Sequence, residues 1–192
     1  MKKSLLVFLA LLGIQFISIN AQAGHEFNVR FGNQFGILDR VRVEQLNGAA
    51  KRFVFLNPAG HLEFQIAGPW FVATTFQYIL IRGENADRMN VYSPTAGVKM
   101  VSFEKSFDTG DFFDRTRWWL DVEAGPYYNQ SHFNAVIPVG TQRSFGYNVA
   151  IGFDTFFHRH WATGFQIGMD HVLYQPDDYL FLSFGPNLTY RF

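Results

Sequence analysis

Eight charged side chains recur on one parity of alternating runs, among Gly, Ser, Asn and Thr: Arg30, Glu63, Arg117, Asp121, Glu123, Asp154, Asp170 and Arg191. Three chemistries are open to such a set. The carboxylates of Asp121 and Glu123 have the composition of an acid–base pair, which works only with room for a substrate beside it. A line of mixed charges can pass ions. Or the charges pair with one another and fill space, because an unpaired buried ion costs several kcal/mol. His171 stands on the opposite, apolar parity, two residues before Leu173. His158-Arg159-His160 has the composition of a two-histidine metal site. On a tight turn its rings diverge, and no carboxylate is close in sequence, so it reads as a polar turn. The chain has no Cys, which excludes disulfides, thiol catalysis and Cys-ligated zinc. No P-loop, dinucleotide fingerprint, EF-hand or HExxH occurs. The expectation is no catalytic residue, no metal and no cofactor.

The elements that hold these residues have period two. From Tyr179 to Phe192, Leu180, Leu182, Phe184, Pro186, Leu188, Tyr190 and Phe192 share one face. Tyr179, Phe181, Ser183, Gly185, Asn187, Thr189 and Arg191 share the other. Side chains alternate across a strand, so this is a single strand with two different surroundings. Ser144 to Phe157, Trp161 to Leu173 and Arg117 to Tyr128 repeat the pattern. The joins fall at His158-Arg159-His160, Gln175-Pro176-Asp177-Asp178 and a polar stretch at 130–143. In the first half, Phe27, Val29, Phe31 and Phe35 alternate with Asn28, Arg30, Gly32, Gln34 and Gly36. Asn47-Gly48 is a two-residue hairpin signal. The returning strand places Leu62, Phe64 and Ile66 outward and His61, Glu63 and Gln65 inward. Asn57-Pro58-Ala59-Gly60 interrupts it as a bulge or turn, and Gly68-Pro69 closes the pair. Trp70 to Arg82 forms the third strand, 83–93 a polar loop, and 95–107 the fourth strand, with ambiguous phase around Met100–Ser102. Residues 108–115 turn into the fifth.

That makes eight strands of about 12–14 residues, long for a soluble domain. The bulky aromatic face and the small, Gly-rich polar face reverse what a water-soluble barrel needs. They fit lipid outside and a narrow polar lumen inside. The architecture is therefore all-β: an eight-stranded antiparallel up-and-down transmembrane β-barrel, with both ends on one side. Aromatic pairs near strand ends suit the lipid–water interfaces: Trp118 and Trp119, Tyr127 and Tyr128, Phe156 and Phe157, with Tyr179. Pro cannot donate to a ladder, so Gly125-Pro126 and Gly185-Pro186 should mark bulges or local breaks in pairing.

Residues 1–23 read as an export signal: Lys2-Lys3, an apolar run from Leu5 to about Ile19, then Ala21-Gln22-Ala23, with cleavage before Gly24. Residues 24–192 form the barrel. The 192 residues are 48% hydrophobic and 18% aromatic, with 23 Phe, so the chain is not disordered. Lys+Arg and Asp+Glu both number 16, which leaves no basic excess for nucleic acid.

Leu188, Tyr190 and the terminal Phe192, apolar at alternate positions, resemble the C-terminal assembly signal of Gram-negative outer-membrane barrels. Residues 118–192 resemble the outer membrane β-barrel domain family of outer-membrane proteins A and X. That resemblance implies an eight-stranded barrel in the bacterial outer membrane. It also implies contact with outer-membrane lipids, including lipopolysaccharide, and with the barrel assembly machinery. A monomer is expected. Lipid A 3-O-deacylases carry a comparable outward His. Leu173 stands where their nucleophile belongs, and no Glu follows on the last strand. The expected role is non-enzymatic, in envelope structure or surface interaction, with a side-chain-filled lumen. The alternatives are a small channel for ions or apolar solutes, like outer-membrane protein W, with an apolar lumen mouth or a lateral opening at Pro126 or Pro186, and, further off, a lipid A-modifying enzyme.

Overall fold

The computed structural model describes residues 25–40, 53–82, 88–102, 114–132, 140–173 and 178–192. Eight strands follow one another: β1 Phe27–Arg40, β2 Phe53–Ala67, β3 Trp70–Arg82, β4 Arg88–Val101, β5 Thr116–His132, β6 Gly140–Phe156, β7 Trp161–Leu173 and β8 Tyr179–Arg191. Each pairs antiparallel with the next, and β8 pairs with β1, closing the barrel. A 13-residue strand such as β7, tilted by about 40°, covers roughly 33 Å of height, enough for an apolar band of about 25 Å. Phe192 donates its N–H to the Phe27 carbonyl at 2.9 Å, so both chain ends of the barrel meet at one rim.

The outward positions form a lipid-facing surface. Phe31, Phe76, Ile151 and Ile167 are each more than half exposed. Away from the strand ends the outward positions carry no Asp, Glu or Lys; Arg143 is exposed near the loop end of β6. Water would not tolerate so large an exposed apolar belt.

Several sequence expectations change. Asn57-Pro58-Ala59-Gly60 is neither bulge nor turn. It runs through β2 in unbroken register with β1, and Pro58 faces outward. The fourth strand spans Arg88–Val101 rather than 95–107, so the 83–93 loop loses residues 88–93 to β4. The polar stretch 130–143 likewise gives its ends to β5 and β6, which reach His132 and start at Gly140. In the β4 extension the alternation continues reversed, with the apolar Met89 and Val91 inward and a polar residue outward between them, so it does not carry the lipid-facing pattern. Residues 1–23, the Asn47-Gly48 turn and 103–113 lie outside the described residues. Gly68-Pro69 does close β2 onto β3, with Gly68 at φ +52°, where a side chain would be strained.

The Gly-Pro steps break pairing without shifting it. Between β4 and β5 the partners pass from Tyr92–Tyr128 to Ala96–Ala124 in the same register, leaving Pro94 opposite Pro126. Between β8 and β1 the same happens around Pro186. Neither break opens a gap. The Pro126 carbonyl accepts from Ser93 Oγ at 3.2 Å. At Gly125, Pro94 and Thr95 backbone atoms leave no room for a Cβ; at Gly185, those of Asn33 and Gln34 do the same.

Candidate functional site: the filled lumen

Strand parity sends one side chain in two to the lumen, and eight strands leave just enough width for those side chains to fill it. The fill is layered. At the loop rim, Phe55, Ile79, Ile81, Met89, Val91, Tyr127, Val172, Tyr179 and Phe181 make an apolar plug. Beneath it lies a polar layer. Asp170 Oδ1 accepts from Tyr127 Oη and Gln77 Nε2, both at 2.7 Å, and Gln34 Oε1 accepts from Ser183 Oγ.

The central layer holds the charges. Glu63 Oε1 receives Lys99 Nζ at 2.7 Å and Arg30 Nη2 at 3.2 Å. Arg30 Nη2 also lies 3.6 Å from Asp121 Oδ2. The Trp119 ring carries both cations, with the Arg30 guanidinium 4.0 Å and Lys99 Nζ 4.4 Å from its centroid. Desolvated cation–π contacts of this kind contribute about 2 kcal/mol each. Glu123 accepts from Thr75 Oγ1 at 2.8 Å and from Thr95 Oγ1. Below, Phe71, Val101, Trp119 and Ala150 form a second apolar patch.

At the rim that holds the termini, Arg117 binds Glu26 Oε1 through Nη1 and Nη2 at 2.6 and 2.8 Å, and Arg191 Nη1 reaches Glu26 Oε2 at 4.0 Å. A shallow cleft of about 130 Å³ opens here, lined by Glu26, Gln65, Phe71, Arg117 and Arg191 among others. Asp154 accepts from Thr189 Oγ1 at 3.3 Å.

Seven of the eight expected lumen charges are buried; Arg191, at the rim, is partly exposed. They do not form one cluster. Arg30, Glu63, Asp121 and Glu123 meet in the centre, Arg117 and Arg191 at the rim, and Asp170 sits apart near the loop end. Sequence patterning gives Lys99 and Glu26 no role, places His61 inward without one and sets Trp119 at an interface. Lys99 lies in the stretch whose phase was ambiguous. Trp119, Tyr127, Phe156 and Tyr179 were assigned to the interfaces, but parity turns all four inward.

His171 faces outward as expected, directly across from Tyr147 on β6. Its Nδ1 lies 2.9 Å from Tyr147 Oη and its Nε2 3.5 Å from Asp178 Oδ2. The His158 and His160 rings lie 5.9 Å apart rather than diverging. The backbone claims both Nδ1 atoms: His160 N–H donates to His158 Nδ1, and His160 Nδ1 faces the Arg191 carbonyl. Leu188 and Phe192 are exposed on the outer wall, and the Phe192 ring meets Tyr190 edge-on at 4.7 Å.

No family profile matches the sequence, and no curated protein does. Solved structures share the fold. Neisserial surface protein A superposes with a TM-score of 0.61 at 12% identity, over 84% of this chain and 95% of that one. OprG of Pseudomonas aeruginosa gives 0.52 at 12% identity, over 87% and 95%. Ail, the attachment invasion locus protein of Yersinia pestis, solved with the heparin analogue sucrose octasulfate, gives 0.50 at 12% identity, over 88% and 99%. All three are small outer-membrane β-barrels, and the chain has their fold.

Proposed function

We propose that this chain is a non-enzymatic barrel of the bacterial outer membrane that does not conduct, and that it serves the envelope or the cell surface through its exterior and loops. The observation that carries this reading is the filled lumen. Arg30, Lys99, Glu63, Asp121 and Glu123 are each at most 2% exposed, and an apolar plug closes the loop side above them. A solute would have to break buried ion pairs and displace packed rings. The lateral route has no opening either, since Ser93 and the close backbone approach at Gly125 seal the β4–β5 break.

The apolar outer wall suits outer-membrane lipids, lipopolysaccharide among them, and the outward Leu188, Tyr190 and Phe192 suit recognition by the barrel assembly machinery. Against a catalytic role, Asp121 and Glu123 are both buried among packed side chains.

The test is conductance of the folded protein in a planar lipid bilayer. Silence at moderate voltage is the expected result. Reproducible unitary steps would overturn the proposal and promote the small-channel reading. His171→Ala serves as the control for lipid chemistry: lipid A masses identical to those from the parent protein are expected.

A further inference from the structure

With its carboxylates ionised, the central charge layer does not balance. Glu63, Asp121 and Glu123 bring three carboxylates against the two cations Arg30 and Lys99, all buried. An excess buried charge costs several kcal/mol unless something neutralises it. Among the described groups, nothing in the protein hydrogen-bonds to Asp121 Oδ1 or to His61 Nε2, although both residues are more than nine-tenths buried.

With Glu123 ionised, the hydrogen bonds fix the histidine's state. The single hydroxyl proton of Thr75 is donated to Glu123 Oε1 at 2.8 Å. Its oxygen must then accept from His61 Nδ1, 2.7 Å away. A neutral ring so arranged keeps a lone pair on Nε2. Arg30 Nη2, 3.3 Å from Nδ1, is then a donor facing a donor and offers that ring nothing. One donor atom from each of His61, Asp121 and Glu123 lies within 4.8 Å of the others. Lewis bases are thus gathered in one buried spot beside an uncompensated negative charge.

We propose that His61, Asp121 and Glu123 bind one divalent transition-metal ion of the zinc type inside the barrel. One imidazole and two carboxylates are a ligand set such ions accept. The surroundings are those of a metal ligand's outer shell. His61 donates its other ring N–H to Thr75, which fixes the tautomer, and Glu123 is oriented by Thr75 and Thr95. Arg30 Nη2 lies 3.6 Å from Asp121 Oδ2, and Oδ1 has no hydrogen-bond partner among the described groups. The ion replaces the missing positive charge and ties β2 to β5 across the lumen.

The experiment uses the folded protein in detergent, stripped with chelator and dialysed against zinc, then assayed by elemental analysis and, with cobalt, by visible absorption. One metal per chain and a cobalt d–d band are expected. His61→Ala should abolish both, and Asp121→Asn should weaken binding at least about tenfold. A double His158→Ala, His160→Ala variant should bind as the parent does. A parent that takes up no stoichiometric zinc overturns the proposal, leaving a proton as the only neutralising charge. So does full binding by His61→Ala, or loss of binding in the turn variant. Should His61→Ala fail to fold, added zinc must still raise the unfolding temperature of the stripped parent; no rise overturns the site.

Discussion

Lys99 carries the sharpest consequence at the scale of the single residue. It is 1% exposed, and its ammonium holds Glu63 Oε1 at 2.7 Å. Replacing it with methionine keeps much of the volume and removes the charge, which leaves the central layer with three carboxylates against Arg30 alone. Breaking a buried pair from one side costs about 3–5 kcal/mol. Lys99→Met should lower the urea midpoint of the detergent-solubilised barrel accordingly. Tyr127→Phe is a milder case. It removes one of the two 2.7 Å donors to Asp170 Oδ1, and hydrogen bonds to charged groups are worth about 1.5–3 kcal/mol. The same denaturation curve checks it. A loss as large as that of Lys99→Met would mean that Asp170 depends on the phenol far more than on Gln77.

The Gly-Pro steps are where the elements can be tested. Two facing prolines, Pro94 and Pro126, leave β4 and β5 without ladder bonds at that level, yet the register is the same above and below. Gly125 lets the β4 backbone come close enough to close the seam. A side chain there has nowhere to go. Gly125→Val should cost about 1–3 kcal/mol through overpacking, read as a smaller folded fraction on an unboiled gel. Gly60→Ala is the matching control, since the nearest atoms to a Cβ there are Phe31 ring carbons at 3.9 Å; it should fold like the parent.

For the whole molecule, the closed ladder is the governing fact. No strand edge is left to fray, because β8 pairs with β1. Detergent alone should not unfold it, so the protein should run at different gel positions before and after boiling. Identical migration would contradict the closed barrel. The charged and apolar layers of the lumen add a second tie between strands that share no ladder, as between Glu63 on β2 and Lys99 on β4. Conductance and gel shift therefore report separate properties, a sealed interior and a closed wall.

Sequence alone determined the architecture, because alternation records the two solvents directly. β3, β7 and the start of β8 have the limits the alternation predicts, since apolar and small residues separate cleanly there. Parity also places Arg30, Glu63, Asp121 and Glu123 inside. Strand ends were less legible where the lipid-facing alternation lapses while the ladder continues, as at Arg88–Ser93 and Gly140–Arg143. Only the closed structure decided which lumen charges meet. Glu63 reaches Lys99 and Arg30, and His61 reaches Thr75 and lies near Asp121 and Glu123, across strands far apart in sequence. Local patterning sets the face a side chain occupies. Its height and its partner follow from the tilt and stagger of eight strands closing on themselves, which no single strand contains.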